Sequence, residues 1–174
     1  VENRMRGTCD TGAFSKACGE GVRRVHRMIP GFDATRLVSC EHLARECHLG
    51  AIDVKDESSR FALKAFKGLG GTYAMFQQLC RVLGMDPETA ELRDFQKDAI
   101  RQKLQGIHFV TTTDGNHGKG VSFASGIFGC RAHVYMPRGT VPVRAQAIRE
   151  AGPAEVTVTD MVYDDCVAYT RTLA

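Results

Sequence analysis

The chain has 174 residues, 43% of them hydrophobic and 25% charged, with a net charge of +3. That is enough for one domain with a real core, or for one domain and part of another. Basic residues are scattered among acids, and no apolar run approaches the roughly 18 residues of a membrane-spanning helix, so neither nucleic acid nor membrane is indicated as a partner.

Read in chain order, the first residues resist assignment. The chain opens on Val1, as a processed product or a fragment would, and Arg4, Arg6, Asp10 and Lys16 break the pattern of a signal peptide. A short helix is predicted over residues 21–28, ending at Pro30 and Gly31. Residues 37–49 read as an amphipathic helix with Leu37, Leu43 and Cys47 inward, stopped by Gly50, and residues 51–55 as a short strand. Cys40, His42, Cys47 and His48 could in principle ligate a metal. Adjacent residues on a helix point about 100° apart, however, and no CxxC-type pair is present, so the plain amphipathic helix is preferred and no metal is expected. Seven cysteines, an odd number at irregular spacing, suit free thiols in a reducing cytoplasm.

After a polar turn at Asp56, Glu57, Ser58 and Ser59, helical spacing runs from Lys67 to Leu83 and stops at Gly84. Asp86 followed by Pro87 predicts a helix start, with the helix running to about Leu104. A regular alternation follows: strand 107–112, helix 121–130, strand 132–136, helix 140–151, strand 155–159 and helix 164–173. Strands alternating with helices of this length imply β-α-β units and a parallel sheet, hence an α/β fold.

Two segments carry chemistry. Residues 111–120 (TTTDGNHGKG) lie between a strand and a helix, at the sheet end where parallel sheets bind ligands. The helix start offers unpaired N–H groups to an anion. The G-x-x-G-x-G spacing is neither a dinucleotide fingerprint nor a Walker loop, so an anion or small polar ligand and an ordinary glycine-rich turn stand level. Residues 60–74 (RFALKAFKGLGGTYA) set Lys64 and Lys67 around an apolar stretch. A desolvated lysine there is a better nucleophile toward a carbonyl; a solvated helix lysine is the plainer alternative.

Together the two segments resemble the fold-type II pyridoxal-phosphate (PLP) enzymes. The resemblance is closer still to the diaminopropionate ammonia-lyase branch. It rests on Val54-Lys55-Asp56-Glu57-Ser58, Arg60-Phe61, Ala65-Phe66-Lys67, Phe109-Val110-Thr111, Asp114-Gly115-Asn116-His117-Gly118 and Val134-Tyr135-Met136-Pro137, and runs from about His26 to the last residue. It implies that Lys67 carries PLP as a Schiff base, with Lys64 as the competing lysine. It also implies that Asn116 hydrogen-bonds the cofactor's ring oxygen, and that Thr113, Gly115 and His117 help to receive the substrate carboxylate. Asp114 stands where the serine and threonine dehydratases usually have Ser. The resemblance gives it the role of a second base, on the face opposite Lys67. The implied reaction converts 2,3-diaminopropionate, a small amino acid, to pyruvate and ammonia, in a homodimeric enzyme.

Three features depart from the branch. Ala34-Thr35-Arg36-Leu37 lacks its prolines, Lys64 replaces a common Asn, and the chain is about half the family's length. The expected layout is a truncated one. Residues 1–83 form the N-terminal part of the large PLP domain, residues 84–174 form a small α/β domain with the Gly-Asn-His loop, and the phosphate-binding loop lies beyond the sequence. A truncated non-catalytic fragment or binding module, and a serine or threonine dehydratase-like lyase, are the alternatives.

Overall fold

The computed structural model describes Gly12 and residues 15–173. The reading built on Arg4, Arg6 and Asp10 lies outside that range. Helix α1 (Lys16–Met28) begins five residues earlier than the spacing suggests, because the Ser15 hydroxyl accepts a hydrogen bond from the Cys18 N–H at 3.3 Å. Strand β1 (Arg36–Ser39), helix α2 (Glu41–Glu46) and strand β2 (Asp53–Asp56) follow.

The helix expected over residues 37–49 is therefore half strand. Its first residues pair antiparallel with β2, Leu37 opposite Lys55 and Val38 opposite Val54, and Cys40 extends the ladder by donating to the Ile52 carbonyl at 2.8 Å. A ladder bond captures backbone groups that a helix would need, and less than two turns remain for α2. Leu37, Leu43 and Cys47 are consequently exposed, and Ala44 is the residue turned inward. Among the described residues no three His, Cys, Asp or Glu side chains gather as a metal site.

Helix α3 (Lys67–Leu83) matches its expected span and ends at left-handed Gly84. The following segment does not form one helix. Asp86 does cap a turn, accepting from the Glu88 N–H at 2.9 Å and the Thr89 hydroxyl at 3.1 Å. Arg24 of α1 then takes the carbonyls of Pro87 and Ala90, the latter at 3.0 Å, so they cannot serve a continuing helix. A 3₁₀ turn at Leu92–Gln96 and helix α4 (Asp98–Leu104) replace it.

From β3 (His108–Thr112) onward the expected alternation holds: α5 (Asn116–Phe128), β4 (Arg131–Met136), α6 (Pro142–Ala151), β5 (Glu155–Val158) and α7 (Tyr163–Thr172). The three strands are parallel in the order β3-β4-β5, with Thr111 opposite Val134 and Val134 opposite Val156. Alternation along β4 separates two faces. Val134 and Met136 are fully buried toward α5 and α6, whereas Tyr135 shares a face with Thr112, whose hydroxyl meets Thr170 of α7 at 3.0 Å. No described helix is long and apolar enough to cross a membrane.

The core is centred on α3 against α5. Phe76, Phe95 and Phe128 are essentially inaccessible, and their ring centroids lie 5.1–6.3 Å apart. Buried residues on both sides of the 83/84 boundary join in this one cluster.

Candidate active site

The carboxyl end of β3 sets the site. The chain turns at Thr113 and Asp114 and enters α5 at Asn116. Thr113 is buried, and its hydroxyl accepts from the N–H groups of Gly115 at 3.0 Å and Gly118 at 3.2 Å, fixing the loop and capping the helix. Its backbone N–H donates to the Tyr135 carbonyl at 3.1 Å, anchoring the turn to β4. Gly115 is the N-cap residue, and Asp114, Asn116 and His117 are exposed around it.

Helix α5 begins five residues earlier than expected because Gly118 and Gly120 are helical packing positions. A Cβ on Gly118 would stand 2.5 Å from Thr113 Cγ2 and 2.8 Å from Ile148 Cδ1. One on Gly120 would stand 2.9 Å from the Lys67 carbonyl oxygen and 3.1 Å from the Gly68 nitrogen. These glycines let α5 press against the sheet and against the first turn of α3. The loop is therefore built to hold two helix starts together, which the bare spacing could not reveal.

Lys67 is the first residue of α3 and is exposed. It lines an open cavity of about 420 Å³ together with Asp114, Gly115, Asn116, Lys119, Val143, Arg144 and Ala147. It also borders an adjoining hollow of about 310 Å³ formed by Phe66, Leu69, Gly70, Gly71, Ala74 and His117. The lysine thus stands between a polar chamber and a mostly apolar one. Lys64 is exposed and belongs to the lining of neither.

Charges in the polar chamber are paired loosely. Arg144 of α6 donates to the Asp114 carbonyl at 3.2 Å and sits 3.7 Å from its carboxylate, with both side chains more than half exposed. An exposed pair of this kind is worth about 0–1 kcal/mol, so an incoming ammonium could displace Arg144. Lys119 donates to the Leu63 carbonyl at 2.7 Å, bridging α5 to the segment before α3. Desolvation holds the His117 pKa below its ordinary value, and the Lys67 ammonium lowers it further. Lys119 and Arg144 were missed as site residues. Lys119 lies within the 111–120 run, but nothing in the sequence signals that α6 brings Arg144 beside it.

Pyridoxal phosphate fits this arrangement in chemistry. An amine lies where a carbonyl can reach it, and an apolar hollow accepts a ring. Lys119 and Arg144 offer positive charge to anionic groups, and the exposed Asn116 amide can hydrogen-bond a ring oxygen.

Residues 29–174 match the family model described as pyridoxal-phosphate dependent enzyme. The chain belongs to that family. Over 157 residues it is 45% identical to a diaminopropionate ammonia-lyase of Escherichia coli K12. Over 156 residues it is 42% identical to that of Salmonella typhimurium. Each alignment takes in 90% of this chain but 38% of the relative. The apo crystal structure of the Escherichia coli enzyme superposes with a TM-score of 0.88 at 38% identity, over all of this chain and 46% of that one. A second crystal structure of that enzyme, in complex with an aminoacrylate–PLP azomethine reaction intermediate, gives 0.84 at 38% identity over all of this chain and 42% of that one. This chain thus spans less than half the length of these relatives. Its α/β, parallel-sheet architecture is that of the fold-type II PLP enzymes, as the motifs implied.

Proposed function

We propose that this chain is the lysine-bearing part of a PLP-dependent lyase that converts 2,3-diaminopropionate to pyruvate and ammonia. The observation that carries the reading is the meeting of Lys67 and Asp114, from separate elements, on one cavity. In this reading Lys67 binds the cofactor, and Asn116 contacts its ring oxygen. When bound, the cofactor supplies an aldehyde for amine condensation and an electron-withdrawing pyridine ring.

The chain's own residues then supply binding and proton movement. The N–H groups of Asn116 and His117, at the start of α5, orient the substrate carboxylate beside Gly115, while Thr113 acts from below by holding the N–H groups of Gly115 and Gly118. Lys67 Nζ and the Asp114 carboxylate each take an α-proton, from opposite faces, which lets the site handle both enantiomers. Asp114 also favours a substrate with a second ammonium, for which Arg144 gives way. The described residues up to Leu83 belong to the larger domain and residues 84–173 to the smaller. The enzyme works as a homodimer in the cytoplasm; the six described cysteines are free thiols, which suits a reducing compartment.

Added pyridoxal phosphate should give the wild-type chain a visible absorbance band that Lys67→Ala lacks. A band unchanged in that variant would move the assignment to Lys64. With the cofactor present, 2,3-diaminopropionate should yield pyruvate; turnover of serine or threonine in its place would move the chain to the dehydratases. Asp114→Asn should depress one diaminopropionate enantiomer by about 10²-fold or more relative to the other, the range of a lost general base. Equal losses would refute the two-base reading.

A further inference from the structure

The segment before Lys67 has an unusual backbone. Phe61, Ala62 and Lys64 all adopt positive φ, at 50°, 58° and 55°, and none is glycine. Left-handed side-chain-bearing residues persist only where the surroundings over-determine them. Here the surroundings converge on Arg60, which is 6% exposed. Its Nε donates to Glu57 at 2.8 Å, one terminal nitrogen to the Asp33 carbonyl at 2.7 Å, and the other to Thr35 Oγ1 at 3.1 Å and Glu57 at 3.2 Å. The guanidinium also lies over the rings of Phe32 and Phe61, 5.2 and 5.7 Å from their centroids.

The held segment is in turn fastened to the site. The Phe61 ring stacks on Phe123 of α5 with centroids 5.0 Å apart, and the Leu63 carbonyl accepts from Lys119. Leu63 and Phe61 also close on the first turn of α3: a Cβ on Gly68 would stand 2.8 Å from Leu63 Cδ1 and 3.3 Å from Phe61 Cδ2. An unbroken set of contacts therefore runs from Arg60 through Phe61 and Leu63 to Gly68, the residue after Lys67.

We propose that Arg60 is a positioning residue: bound by Glu57, Thr35 and the Asp33 carbonyl, it holds the left-handed turn that presents Lys67 to the cavity and keeps Lys64 outside it. The proposal rests on Lys67 being the cofactor lysine. It adds that lysine choice is set by a buried cation some residues upstream, which touches neither chamber. Two lysines three apart would otherwise compete for one aldehyde.

The test is reductive trapping. The full chain is incubated with pyridoxal phosphate, the carbon–nitrogen double bond formed with loss of water is reduced by borohydride, and peptide mass mapping gives the ratio of label on Lys67 to label on Lys64. Arg60→Met keeps the aliphatic stem but removes the guanidinium. Thr35→Val removes one of its partners and is milder. Circular dichroism and melting temperature are recorded in parallel. A fall in ratio of about tenfold for Arg60→Met is expected, since a displacement of about 1 Å at a reacting group can cost ~10²-fold in rate. A smaller fall is expected for Thr35→Val. A residue that only supported the fold would lower the melting temperature and leave the ratio in folded protein alone. Wild-type ratios in both variants, or in Thr35→Val alone if Arg60→Met does not fold, overturn the proposal. Absence of label from Lys67 in the wild-type chain overturns the functional reading, and this proposal with it.

Discussion

Replacing Gly120 with Ala tests whether α5 truly presses on the lysine-bearing turn. At an open helical position this change stabilises by up to about 1 kcal/mol, the propensity gap between the two residues. Here the added methyl would meet the Lys67 carbonyl oxygen at 2.9 Å and the Lys67 carbon and Gly68 nitrogen at 3.1 Å. All three are backbone atoms inside a helix, so no side chain can swing aside and the two helices must part. Overpacking costs typically 1–3 kcal/mol, and a clash with backbone that cannot rotate away falls in the upper part of that range, about 2–3 kcal/mol. Set against the propensity gain, a net loss of about 1–2 kcal/mol is expected, or a fall of several degrees in melting temperature at about 2–4 °C per kcal/mol. Gly70→Ala is the control. It lies in α3, exposed, with nothing within 4 Å of its Cβ position, and should be neutral or slightly stabilising. Urea and thermal unfolding of the two variants decide the matter. Gly120→Ala as stable as wild type, or Gly70→Ala equally damaged, would refute the close approach of α5 to Lys67.

Two titrations follow from the same geometry. Hydrogen bonds from Arg60, aided by one from Thr35, hold the Glu57 carboxyl down to about 2, against an ordinary 4.5. A depressed carboxylate pKa stabilises the fold above the ordinary value, and that contribution fades as pH falls through the folded one. Glu57→Gln should therefore lower the melting temperature near neutral pH and differ little from wild type near pH 2; an equally large difference at both would contradict the pairing. His117 should titrate below 6.5 by NMR, and Lys67→Met should raise its midpoint only part of the way back, because desolvation exceeds the Lys67 contribution. A midpoint that the variant leaves in place would show that the two side chains do not share the groove.

The regular half of the fold was readable because its signals are local. From β3 to α7 each strand and helix carries its own hydrophobic period and its own stop, so bounds fell within a few residues except at α5. That helix starts early because Gly118 and Gly120, which read as loop residues, are where neighbours crowd the backbone. Other departures have distant causes. Residues 37–39 became strand because β2, some fifteen residues on, offered a ladder. Residues 86–104 broke up because Arg24, more than sixty residues earlier in the chain, claims two of their carbonyls. Of the residues that line the cavity, Lys67, Asp114 and Asn116 were singled out by motif resemblance, not by spacing. Arg144 was invisible because helix α6 meets the loop only in space. The left-handed run at Phe61, Ala62 and Lys64 was equally hidden, since no glycine or asparagine advertises it.

The identity of the cofactor lysine is tested most directly by locating a single covalent mark. After treatment with pyridoxal phosphate and borohydride, proteolysis and mass spectrometry should find the added pyridoxyl group on Lys67. Its recovery on Lys64, or on no lysine of the chain, would contradict the assignment on which the proposed chemistry depends.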